Sequence, residues 1–369
     1  MDRMRVAFIG AGSISGIYLQ NITQVFKGLE IAGVCDLIPE RAEQAMAKYG
    51  LPHVYGDMFE AFNDPGVDII LNLTRPYQHY EVTRQALLHG KHVYTEKPLG
   101  ITMEEGDALA ALAKEKGLVI GGAPDTFLGA GLQTCRRMID SGLIGEPVGA
   151  AAFMLSHGPE TWHPDPDFYY QPGGGPVLDM GPYYMTALTS LLGPVSRLVA
   201  LGKRAFDARL ITSQPHAGTP IGVNVDTYSC GILQFASGAA GTMFTTFDVY
   251  YPSQARLEIY GTEGTLICPD PNYFGGPVQL YRPETGAMRE MPLLFGYAEN
   301  SRGLGLADMA AAIQNGRAPR AGLSQVHHVL DVLTGFARSA QSGAWLDIRT
   351  EYERPAPMLR ASLAGMPED

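Results

Sequence analysis

Val6-Ala7-Phe8-Ile9-Gly10-Ala11-Gly12-Ser13-Ile14-Ser15 is an apolar run without polar alternation that stops at a glycine turn and passes into a helical pattern through Ile17, Leu19 and Ile22. An apolar run of this kind suits a parallel strand buried on both faces, because neither face meets water. The turn reads G-x-G-x-x-G/A, with Ser15 at the small third position. Gly10 permits the tight turn, and Gly12 removes the side chain that would block a pyrophosphate. At Ser13 and Ile14 the opening helix offers free N–H groups and the positive end of its dipole. Asp36 ends the next apolar run, Ile31-Ala32-Gly33-Val34-Cys35. That is the distance at which an acidic residue accepts hydrogen bonds from adenosine ribose hydroxyls. Leu37 and Ile38 follow instead of Arg or Lys, and a carboxylate repels a 2′-phosphate, so NAD is favoured over NADP. Arg41 is the one nearby cation that can swing back; otherwise it is a helix-surface residue.

Further apolar runs follow at Ile69-Ile70-Leu71-Asn72-Leu73, His92-Val93-Tyr94 and Leu118-Val119-Ile120, with helical patterns over Glu40–Tyr49, His79–His89 and Met103–Lys116 between them. Strand–helix alternation predicts an α/β fold with a parallel sheet covered on both faces. Residues 1–122 form this dinucleotide-binding Rossmann unit. Beyond Gly121-Gly122 the spacing changes. A helix over Gly131–Ser141 precedes strands over Val148–Leu155, Arg197–Gly202, Tyr228–Phe235, Gly241–Tyr250 and Ala255–Tyr260, with helices over Pro182–Leu192, Gly305–Asn315 and Ser324–Ser342. Residues 123–369 are therefore expected to be a second α/β domain with a large, open, mostly antiparallel sheet. The Pro-, Gly- and aromatic-rich stretch Trp162–Pro176 reads as an ordered loop at a site.

The 369 residues suit two domains, and 46% hydrophobic against 18% charged residues suits a folded enzyme. A net charge of -11 argues against nucleic acid and anionic membrane as partners. Cys35, Cys135, Cys230 and Cys268 lie far apart, with no C-x-x-C pair and no zinc spacing, so no metal is expected and a reducing cytoplasm fits. No signal peptide or run of 18 apolar residues is visible.

Two stretches carry the chemistry. The first is Leu71-Asn72-Leu73-Thr74-Arg75-Pro76-Tyr77-Gln78-His79 with Gly90-Lys91-His92-Val93-Tyr94-Thr95-Glu96-Lys97-Pro98-Leu99. The second is Gly173-Gly174-Gly175-Pro176-Val177-Leu178-Asp179-Met180-Gly181-Pro182-Tyr183-Tyr184. With these stretches the chain resembles the Gfo/Idh/MocA family over nearly its whole length. The resemblance implies cofactor contacts from Leu73, Thr74, Arg75, His79, Glu96 and Lys97. It also implies that Lys97 of the E-K-P motif lies between nicotinamide and substrate hydroxyl. Elementary chemistry agrees, since oxidising an alcohol removes a hydride and a proton, and a cation at the oxygen stabilises the developing alkoxide.

The family pattern G-G-G-x-x-x-D-x-G-x-H aligns Asp179 but puts Tyr183 where a proton-relay histidine is expected. Asp179 and Tyr183 are four apart where a helix is predicted to begin, so both are expected to face the pocket. A phenol with an ordinary pKa of about 10 needs a nearby cation to serve as relay. His163, in the loop leading to the glycine run, is the alternative relay base. Trp162 suits stacking on a sugar ring. Arg75, Asn300 and Arg302 are candidates for a polar or anionic substrate group.

These readings converge on an NAD-dependent oxidoreductase acting on a hydroxyl or keto group of a small carbohydrate-like substrate, a pyranose or cyclitol. One alternative is a glycosidase that uses tightly bound NAD to oxidise, eliminate and re-reduce a sugar ring. Another is a non-catalytic regulator that senses dinucleotide. The resemblance further implies a homodimer or homotetramer paired through the outer face of the large sheet.

Overall fold

The structure, a computed structural model, describes residues 3–251 and 256–359. Ala255, the first residue of one expected strand, lies outside them. The first half comprises β1 (Met4–Ile9), α1 (Ser15–Gln24), β2 (Leu29–Cys35), α2 (Pro39–Tyr49), α3 (Met58–Asn63), β3 (Ile69–Asn72), α4 (His79–Leu88), β4 (His92–Thr95), α5 (Met103–Lys116) and β5 (Ile120–Gly122). Its five strands run in the order β2-β1-β3-β4-β5, every pair parallel. Val6, Phe8, Ile69 and Leu71 join a hydrophobic cluster on one face of the sheet, and Ala7, Ile9, Ile70 and Val93 join another on the opposite face. This two-sided burial explains why the runs show no alternation. It also sets the glycine turn, Asp36 and Glu96-Lys97 at the carboxyl ends of β1, β2 and β4, on the edge where such sheets bind ligands.

The last strand of this sheet begins two residues later than expected. Gly117 takes a left-handed conformation at φ 64° and Leu118 N–H bonds back to Ala113 O at 3.0 Å, so Leu118 caps α5 and does not enter the sheet. Helix α3, a single short segment with Asp57 as its N-cap, was not anticipated.

The second half comprises α6 (Ala130–Asp140), β6 (Pro147–Leu155), α7 (Gly175–Asp179), α8 (Gly181–Leu192), β7 (Val195–Lys203), β8 (Ala208–Leu210), β9 (Pro220–Gly222), β10 (Tyr228–Phe235), β11 (Ala240–Thr246), β12 (Leu257–Gly261), β13 (Thr265–Ile267), β14 (Val278–Arg282), β15 (Ala287–Met291), α9 (Leu304–Asn315), α10 (Leu323–Ser342) and β16 (Leu346–Asp347). Nine of its strands form one sheet in the order β15-β14-β13-β12-β6-β11-β10-β7-β16. Only the β6–β11 pair is parallel. Helices α8 and α10 cover one face, and every residue of α8 is buried. β11 stops at Thr246, short of the expected Tyr250. Beyond it Phe247 N–H bonds to Thr227 O, and the Asp248 carboxylate turns inward to Arg209 and the Thr227 hydroxyl.

Candidate active site

The glycine turn is shaped for a bound diphosphate. Gly10 sits at φ 105°, and a β-carbon there would come within 2.8 Å of Leu73 O, so this position accepts only glycine. A β-carbon on Gly12, in contrast, meets nothing within 4 Å. The amides of Gly12, Ser13 and Ile14 make no hydrogen bond among the described residues, while the Ala11 amide donates to Asp36 Oδ2 at 2.7 Å. Three free N–H groups around open space at the start of α1 fit a dinucleotide pyrophosphate. Asp36 Oδ1 accepts from Ile38 N at 2.8 Å. The carboxylate thus braces the turn and keeps lone pairs for ribose hydroxyls. Arg41 is exposed on α2.

Leu73 is buried and anchors to Ile9 O. Thr74 bonds to Asn72 Oδ1 through both its amide and its hydroxyl, the latter at 2.7 Å. His79 is closed off from solvent, with Nδ1 2.7 Å from Pro98 O and Nε2 3.0 Å from Thr74 O. It therefore ties the Thr74 loop to the Lys97-Pro98 segment. Burial lowers its pKa against the pull of those carbonyls. Glu96 is buried too, accepting from Tyr18 Oη at 2.8 Å and from the Lys97 amide at 3.1 Å.

Lys97 Nζ donates to Asp179 Oδ1 at 2.7 Å and to Asp179 O at 2.6 Å. It lies 5.4 Å from the centroid of the Tyr183 ring. Burial works against the ammonium, but Asp179 together with Tyr183, Glu96 and Tyr169 outweighs it and raises the Lys97 pKa above its ordinary value. The expected single helix carrying Asp179 and Tyr183 is in fact two. Asp179 ends α7, Met180 breaks the helical run, and Tyr183 lies in α8, yet both reach Lys97. The Tyr183 ring also meets Arg302, whose guanidinium carbon is 6.0 Å from the centroid. Burial raises the Tyr183 pKa, and the charges of Lys97 and Arg302 pull it back.

The loop expected at Trp162–Pro176 is ordered by a buried charge cluster that the sequence did not reveal. Glu160 and Asp248 both pair with Arg209, at 3.4 and 2.8 Å, and the Tyr170 hydroxyl donates to Glu160. Above this anchor His163 Nδ1 accepts from the Asp165 amide at 3.0 Å, which leaves the ring hydrogen on Nε2. Burial and the charge of Arg75 lower the His163 pKa. His163 therefore presents a donor to its surroundings, at odds with its expected service as a base. Trp162, 66% exposed, packs edge-on against His163 and Tyr169 at the rim. Arg75 pairs with Asp165 at 2.6 Å and lies 4.0 Å above the Phe168 ring, bridging the Rossmann unit and this loop. Tyr169 is a further site residue that sequence reasoning missed. Burial and the Asp179 carboxylate raise its pKa, and the nearby Lys97 charge opposes them.

Among the described residues no group of His, Cys, Asp and Glu side chains is arranged to hold a metal ion. Among the described residues, too, no helix is long and apolar enough to cross a membrane. Residues 4–122 match the oxidoreductase family model with an NAD-binding Rossmann fold, GFO/IDH/MocA, and residues 132–267 match the C-terminal domain of the same family. The chain is 25% identical over 265 residues to scyllo-inositol 2-dehydrogenase (NAD(+)) of Bacillus subtilis (strain 168), spanning 72% of this chain and 73% of that protein. It is 26% identical over 273 residues to 1,5-anhydro-D-fructose reductase of Ensifer adhaerens, spanning 71% and 75%. Among solved structures, levoglucosan dehydrogenase in complex with NADH and L-sorbose superposes with a TM-score of 0.80 at 21% identity, over 95% of this chain and 100% of that one.

Proposed function

The chain belongs to the GFO/IDH/MocA family of NAD-binding oxidoreductases, and on that premise we propose that it transfers hydride between NAD and a hydroxyl of a sugar or cyclic polyol, with Lys97, Asp179 and Tyr183 at the reacting oxygen. The observation that carries this reading is the Lys97–Asp179 pair beside the Tyr183 ring at the carboxyl end of β4. When bound, NAD supplies the hydride-accepting nicotinamide. Asp179 engages two of the three Nζ hydrogens of Lys97, which leaves one to donate to a substrate oxygen. Its raised pKa keeps Lys97 charged, so it stabilises an alkoxide electrostatically and does not itself remove the proton. Tyr183 carries the proton, giving it to the oxygen in reduction and taking it in oxidation. Trp162 and Arg302 flank the substrate.

The carboxylate of Asp36 supports NAD over NADP. Residues 1–122 hold the cofactor and residues 123–369 the substrate. Pairing as a homodimer or homotetramer through the outer face of the nine-stranded sheet is supported by an apolar row across four strands, Leu201, Cys230, Phe244 and Phe153. Four free cysteines support a cytoplasmic setting.

The test is a panel of sugars and polyols, free and as aryl glycosides, that includes scyllo-inositol, 1,5-anhydro-D-fructose and levoglucosan. Each is offered with the oxidised and reduced forms of NAD and NADP and followed at 340 nm. Net NADH formation or consumption with one of them is expected. Release of an aglycone without net NADH would replace this reading by redox-neutral glycoside cleavage, and binding without any turnover would leave a dinucleotide sensor.

A further inference from the structure

We propose that Arg302 acts through the Tyr183 hydroxyl, making its phenolate accessible during proton transfer, and that Asn21 and Asp125 are the residues that position it. This inference rests on Tyr183 being the proton carrier. It begins with the charges around that ring. Two cations face it, Lys97 at 5.4 Å and Arg302 at 6.0 Å from the centroid, and the buried Glu96 carboxylate opposes them. Lys97 is paired directly with the Asp179 carboxylate at 2.7 Å. The Arg302 guanidinium has neutral partners only, donating to Asn300 Oδ1 at 2.9 Å and to Asn272 Oδ1 and O at 2.7 and 3.2 Å. Arg302 is therefore a guanidinium with no directly paired carboxylate beside a phenol that is only 7% exposed; the Asp125 and Glu96 carboxylates act on it from further off, and a charge so placed acts strongly where water is excluded.

The loop that carries Arg302 is fixed from two sides. Asn21 Nδ2 donates to Asn300 O at 2.9 Å and to Arg302 O at 2.8 Å. Asp125 Oδ2 accepts from Gly303 N at 2.8 Å and from Gly305 N at 3.0 Å. Asn21 and Asp125 are both buried. Asn21 stands on α1, the helix that opens at the dinucleotide turn, so the helix that receives the cofactor also sets the height of Arg302 over Tyr183. The proton moves between the reacting oxygen and Tyr183 Oη; Arg302 gives up none.

A double-mutant cycle on single-turnover hydride transfer tests this, using whichever sugar or polyol gives the largest signal in the panel above. Followed in the direction of alcohol oxidation, where Tyr183 takes the proton, Arg302→Gln is expected to slow transfer by about 10–100-fold at pH 7 and to move the pH–rate profile to higher pH, with recovery toward the unmutated rate at alkaline pH. In a Tyr183→Phe background the same substitution should cost less than about threefold, because the group it acts on is gone. Arg302→Lys should restore part of the loss, and Asn21→Ala should reproduce a smaller version with the same dependence on Tyr183. Equal losses from Arg302→Gln with and without the Tyr183 hydroxyl, or a raised KM with an unmoved pH profile, would make Arg302 a plain substrate contact and overturn the inference. A near-normal rate in Tyr183→Phe alone would instead remove the proton-carrier assignment on which it stands.

Discussion

A side chain at Gly12 would find room within the protein and leave none for a pyrophosphate, whereas one at Gly10 would strike the Leu73 carbonyl. The two glycines of one motif therefore separate binding from folding. Gly12→Val is expected to melt within a few degrees of the unmutated protein and to show no saturable NAD titration; unchanged NAD affinity in that variant would detach the turn from the cofactor. At the chemical centre, Lys97→Met should keep NAD affinity and lower single-turnover hydride transfer by about 10²–10⁴-fold, the range for losing a positioned group at the reacting oxygen. Tyr183→Phe should lose a comparable factor, since only the hydroxyl goes. His163→Ala should be mild, within about tenfold, because Nδ1 already accepts from Asp165 N–H and Nε2 carries the hydrogen. A severe His163→Ala beside a mild Tyr183→Phe would exchange their roles.

Among the elements, those with a strong local signal were legible. β1, β2 and β3 announce themselves as unalternating apolar runs, and α5 by Thr102 and Glu105 at its start and Gly117 at its end. What escaped was set by partners distant in sequence. The hairpins β8–β9 and β14–β15 are short or exposed, with little apolar periodicity to betray them. The break between α7 and α8 is hidden because Asp179 and Tyr183 keep a helical spacing across it. Asp125 is a further case, a residue between elements that serves as the cap of α9 from 178 residues away. Burial pushes its carboxyl up to about 6, with the Gly305 amide and the Arg302 charge pulling it down. A carboxyl whose folded pKa exceeds the ordinary 3.8 binds its proton more readily in the native state. Its contribution to stability is then full below about pH 4 and is lost as pH rises through about 6. Thermal melts between pH 4 and pH 7.5 should show the unmutated protein losing stability relative to Asp125→Asn as pH rises. Parallel pH profiles would mean that the carboxyl titrates as it does in the unfolded chain.

For the molecule as a whole, the pattern of strands and helices pointed to two α/β units but not to how they are joined. Helix α10 returns to the first unit. Gly122 N–H bonds to Ala321 O at 3.0 Å just before it, and His327 on it meets Asp107 of α5 at 2.9 Å. Such contacts have no signature in a local sequence window. Among the described residues the large sheet is covered by helices on one face only, and on the other the register aligns Leu201, Cys230, Phe244 and Phe153 into a row, with Ile232 beside Val199 in the next. Phe153 and Phe244 stack at 5.7 Å, and Tyr228 packs edge-on to Phe244 at 5.9 Å, so this face carries a small aromatic cluster. Leu201 is 69% exposed and Ile232 48%, a costly arrangement for a face left in water. A two-fold pairing of this face against itself brings each residue near its own copy or a close neighbour. Leu201→Asp combined with Ile232→Asp would then place like charges across a desolvated interface. Sedimentation velocity at micromolar concentration should show the unmutated protein as a dimer or tetramer and the double variant as smaller species that still bind NAD, since both positions lie on the opposite face of the sheet from α8 and Tyr183. An unmutated protein that sediments as a monomer, or a double variant that stays assembled, would mean that this face is not where the copies meet.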